Sequence, residues 1–145
     1  MIKDIVIDNS VSYRFENPPD STYKEFIEWL RTEGFLVLSQ KLLIEIKQTT
    51  QGRKESSLPV IIDLLIRENR GIFIKKGELD TFVISKKIMK KLRSNKKDHD
   101  HIKIVLLSNR KLCLTEDVNL SYDINNYPGF KAKAADKPDL LDYKK

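Results

Sequence analysis

Acidic side chains stand in this sequence just beyond short apolar runs, where an open α/β sheet places its ligand-binding residues. Asp8 follows the run 5–7, and Asp117 follows the run 111–114. Several carboxylates gathered at one sheet edge would repel each other unless a cation joined them. Oxygen ligands without paired Cys or regularly spaced His suit Mg²⁺ or Mn²⁺ better than zinc. The residue types therefore predict a divalent-cation site.

Two further acids belong to the same pattern. Glu45 lies on a predicted helix that follows the second apolar run, and either Asp98 or Asp100 begins a helix that leads to the strand before Thr115. Each acid has an ordinary alternative, because aspartates cap helices and most surface helices carry a glutamate. These alternatives do not predict that acids from separate segments share one edge of a sheet.

The segments that would position these acids alternate between strand and helix. Residues 5–7 and 35–38 are predicted strands. A helix capped by Asp20 or Ser21 lies between them and stops at Gly34, and Ser39 caps the next helix. Such alternation predicts a parallel sheet.

The second half of the chain is predicted in the same way. Residues 49–57 read as a polar loop and 58–66 as a helix, whereas 72–74 is either a strand or a connecting segment. A short helix or turn at 118–127 precedes a last strand within 130–135. The lysine-rich tail, residues 139–145, is predicted to be loose.

The excess positive charge is concentrated before Asp98. We predict one basic helix over 85–97, whose apolar stripe is buried and whose exposed cations bind a nucleic-acid backbone. The alternative is that the cations only form a solvated helix face. Its basic residues are Lys86, Lys87, Lys90, Lys91, Arg93, Lys96 and Lys97.

Composition bounds the class of protein. The chain has 145 residues, the size of a single domain over 1–145, with 40% hydrophobic and 33% charged residues and a net charge of +6. The single Cys113 leaves no partner for an internal disulfide or a cysteine zinc site. No run reads as a signal peptide or approaches the roughly 18 apolar residues of a membrane span. We therefore expect a soluble, cytoplasmic protein.

The order of these motifs resembles the PIN domain over nearly the whole chain. The motifs are Asp8-Asn9-Ser10, then Leu38-Ser39 with Glu45, then Asp98 to Ile102, then Leu114-Thr115-Glu116-Asp117. The resemblance implies a three-layer α/β/α sandwich with a central, mainly parallel sheet, carrying a metal-dependent nuclease that acts on RNA.

The resemblance also implies roles for individual residues. Asp8, Glu45 and Asp117 would be ligands of one or two Mg²⁺ or Mn²⁺ ions, supported by Ser10 or Thr115. The third acid is Asp98 or Asp100, and the family's usual spacing favours Asp98. Glu116, beside Asp117, leaves open which of the two carboxylates faces the metal.

The function expected from the sequence is a Mg²⁺- or Mn²⁺-dependent endoribonuclease. The chain is similar in size to toxins of toxin–antitoxin pairs, which implies a cognate antitoxin and a homodimer as partners. One alternative is a non-catalytic RNA- or protein-binding module with this fold. Another is a metal-dependent phosphatase or flap-type DNA nuclease on a related sheet.

Overall fold

A computed structural model of the protein describes residues 2–49 and 57–145. The predicted polar loop falls mainly on residues 50–56 and so lies outside the described residues; its predicted ends, Thr49 and Ser57, belong to helices. No helix in the described part of the chain is both long enough and apolar enough to span a lipid bilayer.

Five parallel strands form the central sheet, in the order β3-β2-β1-β4-β5. Helices cover both faces, so the predicted three-layer α/β/α class with a mainly parallel sheet is confirmed. The strands are β1 Asp4–Ile7, β2 Phe35–Leu38, β3 Gly71–Phe73, β4 Leu112–Leu114 and β5 Lys133–Ala135. The α-helices of the described residues are α1 Ser12–Glu16, α2 Ser21–Thr32, α3 Gln40–Thr49, α4 Ser57–Arg67, α5 Lys76–Thr81, α6 Lys86–Met89, α7 His99–Leu107 and α8 Val118–Asn125.

The strand order reverses direction at β1. From β1 the sheet grows outward through β2 to β3 on one side, and through β4 to β5 on the other. At this switch point the chains leaving β1 and β4 diverge and open a crevice at their carboxyl ends, where doubly wound sheets bind ligands. The Asp8 amide donates to the Leu114 carbonyl at 2.9 Å, which holds the two strand ends side by side.

Local sequence signals explain the helix that packs against one face of the sheet. The Asp20 carboxylate accepts from the Tyr23 amide at 3.0 Å and caps α2, as predicted. Phe26 and Trp29 point from α2 into the core and are buried. A Cβ at Gly34 would lie 2.7 Å from Trp29 Cζ3, so only glycine lets the chain turn this closely into β2.

The C-terminal tail is packed, and the prediction that it is loose is wrong. Leu141 and Tyr143 are buried, with 1% and 6% of their surface exposed. The Tyr143 ring lies 4.9 Å from that of Phe26 and 4.8 Å from that of Trp29, and its carbonyl accepts from the Arg110 guanidinium. The flanking lysines masked this apolar pair in the sequence.

Replacing Tyr143 by alanine should lower the free energy of unfolding by about 3 kcal/mol, because a large aromatic side chain leaves a cavity in the core. Urea denaturation followed by circular dichroism measures this. Leu140→Ala is the matched control: Leu140 is 49% exposed, so its loss should cost less than about 0.5 kcal/mol. Equal stability of the two variants would contradict the packed tail.

The predicted continuous basic helix over 85–97 is also wrong. Only Lys86–Met89 is α-helical, and the following chain is held by the buried carboxylate of Asp123. That carboxylate accepts from the Arg93 amide at 2.8 Å and from the Ser94 amide and hydroxyl at 2.8 and 2.6 Å. These bonds replace helical ones, and like charges four residues apart disfavour a helix in any case. The basic residues therefore lie on α6, on the chain that follows it and on a short 3₁₀ helix over 96–98.

Candidate active site

An acidic cleft of about 470 Å³ opens at the carboxyl ends of β1 and β4. Its walls come from four separate segments of the chain, and each segment contributes one carboxylate. The four acids are Asp8, Glu45, Asp98 and Asp117. The structure thus brings together the principal acids that the sequence predicts at one sheet edge.

Asp8 is the most firmly held of these acids. Its Oδ2 accepts from the Ser10 hydroxyl at 2.6 Å and from the Thr115 hydroxyl at 2.8 Å. The Ser10 amide adds a longer bond of 3.4 Å, so the capping role considered as an alternative is a minor one. Oδ1 makes no hydrogen bond to the described residues. Two hydroxyls therefore fix the carboxylate and leave one oxygen for a ligand.

Replacing Thr115 by valine should lower the free energy of unfolding by about 1 to 3 kcal/mol. Valine keeps the shape, but it removes the donor to Asp8 and the acceptor of the Asp117 amide, which is 3.0 Å from the Thr115 hydroxyl. Chemical denaturation measures the loss. In the control Thr32→Val, the exposed hydroxyl bonds, among the described residues, only to carbonyls of its own helix, so we expect a loss of less than about 0.5 kcal/mol. A Thr115→Val loss as small as the control's would contradict this network.

Glu45 is held by a histidine that the sequence analysis missed. His101 Nε2 donates to Glu45 Oε2 at 2.9 Å, and it lies 4.0 Å from Asp98 Oδ1. His101 is only 4% exposed, and it lines the acidic cleft. Its spacing of three and four residues to the buried Ile104 and Val105 was the signal that could have placed it on the inner face of α7.

The structure separates the two candidates for the third acid. Asp98 lines the cleft, and its side chain makes no capping hydrogen bond to α7. Asp100, two residues further along, is rotated by about 200° around the helix. Its carboxylate lies 3.9 Å from Lys41 Nζ and lines a different cleft. Asp98 is therefore the one of the pair that shares a cleft with Asp8.

Glu116 and Asp117 are separated in the same way. Glu116 accepts from the Tyr13 hydroxyl at 2.6 Å and pairs with Arg14 Nε at 3.2 Å, away from the cleft; the bond to Glu116 raises the pKa of Tyr13. Asp117 lines the cleft, while its Oδ1 caps α8 by accepting from the Asn119 and Leu120 amides.

The cleft is not a preformed metal cage. Among residues 2–49 and 57–145, no three His, Cys, Asp or Glu side chains are grouped closely enough to hold a metal ion. Cys113 contributes nothing, because it is buried in β4 and burial raises the pKa of its thiol.

The basic residues have different surroundings. All seven named in the 86–97 segment are exposed. The Arg93 guanidinium stacks 3.4 Å above the Tyr122 ring. Of these seven residues, Lys97 alone lines the acidic cleft, and it lies in a short 3₁₀ helix over 96–98.

Fold and cleft together define an open parallel α/β protein with an acidic cleft at the switch point of its sheet. No protein-family model matches the chain, and no curated protein or solved structure matches it.

Proposed function

We propose that the protein is a Mg²⁺- or Mn²⁺-dependent endoribonuclease that hydrolyses RNA phosphodiester bonds. The observation that carries this proposal is the convergence of Asp8, Glu45, Asp98 and Asp117 on one cleft at the switch point. The resemblance of their motifs to the PIN domain supports it. The exposed Lys97 in the wall of the cleft suits a polyanionic substrate.

The donors in the cleft fit Mg²⁺ in chemistry and in number. Mg²⁺ prefers oxygen ligands, keeps several of its waters and is usually bound through one or two carboxylates. The cleft therefore needs no cage of three acids; a subset of Asp8, Glu45, Asp98 and Asp117 would hold the ion. When bound, the cation supplies Lewis acidity that favours deprotonation of the attacking water and neutralises charge on the phosphate.

The chain's own residues would fix the geometry of this reaction. Ser10 and Thr115 orient the Asp8 carboxylate, and His101 orients that of Glu45. Ligands held in this way lose little freedom when a cation and substrate bind. Lys97, at the wall of the cleft, would bind an oxygen of the phosphate group next to the scissile phosphate.

The test is cleavage of end-labelled RNA by the purified chain. We expect fragments in Mg²⁺ or Mn²⁺ and none in EDTA, on a panel of single-stranded and structured RNAs with matching DNA oligonucleotides in the same tube. Absence of divalent-dependent cleavage across the panel would overturn the proposal. Preferential cutting of DNA would favour the flap-type nuclease instead.

A second candidate function is an RNA- or protein-binding module without turnover. It is favoured by the finding that no three metal-binding side chains among the described residues are closely grouped. This module would retain RNA in EDTA and after substitution of Asp8. A cognate antitoxin and a second copy of the chain stay proposed partners of the nuclease; light scattering of the purified protein tests the latter.

A further inference from the structure

A second cleft, of about 650 Å³, lies beside the acidic one. Its walls are largely apolar and come from α3, from the end of β3, from α5 and from Asp100 at the start of α7. The apolar lining residues are Ile44, Phe73, Ile74 and Leu79. Two of them are well exposed: Phe73 by 40% and Ile44 by 44%. An aromatic ring and an aliphatic side chain thus face solvent together.

This apolar cleft shares a wall with the acidic cleft. Glu45 lines both, and Phe73 ends β3 at the same carboxyl edge of the sheet where Asp8 follows β1. A polymer bound along this edge with one phosphate at the acids would continue into the apolar cleft.

Uncompensated positive charge borders the apolar cleft. Lys75 and Lys76 both line it, and neither makes an ion pair or a side-chain hydrogen bond to the described residues. Lys41, by contrast, is already near Asp100. The cleft therefore combines a stackable ring with two available cations, which suits a ligand that is both aromatic and anionic.

We infer that the apolar cleft binds an unstacked base of single-stranded RNA, with Phe73 against the base and Lys75 and Lys76 on neighbouring phosphates; this inference rests on the proposed nuclease. Single-stranded RNA is bound through bases stacked on aromatic side chains and through cations along the backbone. An acidic amphipathic peptide would satisfy the same lysines. The wall shared through Glu45 favours the substrate strand, because that strand must already occupy the adjoining cleft.

The test measures binding of fluorescein-labelled single-stranded RNA in EDTA, so that no cleavage interferes. Phe73→Ala should weaken binding about fivefold or more, as loss of one base–aromatic stack does. Phe73→Trp should retain affinity, and RNA should quench the introduced indole. The control is Phe130→Ala: Phe130 is 37% exposed but packs on Tyr127 and Phe82. It should bind like the parent chain.

An RNA carrying one abasic site, moved along the strand, locates the contact. At one position the abasic site should weaken binding to the parent chain but not to Phe73→Ala, because the same stack is missing in both. Parent-like binding by Phe73→Ala, or no position with this dependence, would overturn the base-binding inference.

The outcomes separate this inference from the proposed function. Divalent-dependent cleavage by the parent chain together with unchanged binding by Phe73→Ala would refute only the base site. No RNA binding and no cleavage by the parent chain would refute both. Phe73-dependent binding of an acidic peptide, without Phe73-dependent binding of RNA, would assign the cleft to a protein partner and overturn the inference.

Discussion

Replacing Asp8 by asparagine is expected to reduce Mg²⁺-dependent RNA cleavage by at least about 100-fold. Loss of a residue that merely supports a metal ligand costs about 10- to 100-fold, and loss of the ligand's charge should cost more. Asparagine keeps the size of the side chain and an oxygen that can accept from Ser10 and Thr115. The fold should therefore survive, and removing one of several like charges does not weaken it.

Initial cleavage rates measure the first effect, and titration calorimetry with Mn²⁺ measures the loss of metal affinity without turnover. Asp63→Asn is the matched control, since Asp63 is an exposed aspartate of α4 and does not line the acidic cleft. Both variants should unfold at the temperature of the parent chain. Cleavage that persists in Asp8→Asn would show that the activity comes from another site or another protein.

The second large effect is a contrast between two aspartates only two residues apart. Asp98→Asn should lower divalent-dependent cleavage by at least about tenfold, whereas Asp100→Asn should leave it within about twofold. Asp98 lines the acidic cleft, but Asp100 points to Lys41 and the neighbouring apolar cleft. Both carboxylates are partly exposed and lie at the start of α7, so the two substitutions should change the stability of the fold to a similar extent.

Each of these two variants is the other's control. The same RNA, metal concentrations and rate assay apply to both, and thermal unfolding verifies that each is folded. The opposite ranking, with Asp100→Asn inactive and Asp98→Asn active, would mean that α7 presents its other face to the substrate. Equal losses would contradict a site confined to the acidic cleft.

Local signals in the sequence were sufficient for the elements around the site. Short apolar runs identified β1 and β2, and the caps at Asp20 and Ser39 located the starts of α2 and α3. Strand–helix alternation then predicted the parallel sheet, and its carboxyl edge predicted where Asp8 would lie. These inferences needed only periodicity and capping, which act over a few residues.

Features that depend on distant partners could not be predicted in this way. His101 meets Glu45 across 56 residues of sequence. The chain that follows α6 is set by Asp123, whose carboxylate takes the place of helical acceptors for the Arg93 and Ser94 amides. The spacing of the apolar residues predicted a helix there, because no residue near the lysines indicates a buried acceptor elsewhere in the chain.

The wide separation in sequence of the groups around Asp8 has a consequence for synthesis. Asp8 and the Thr115 hydroxyl that orients it are 107 residues apart, and β4 pairs directly with β1. Ribosomes make the chain from its amino end, and such distant pairings cannot form until the later partner has emerged. An unfinished chain that stops before residue 98 carries Asp8 and Glu45 but lacks Asp98, His101 and Thr115. For the proposed nuclease, assembly of the acidic cleft thus waits until most of its own message has been translated.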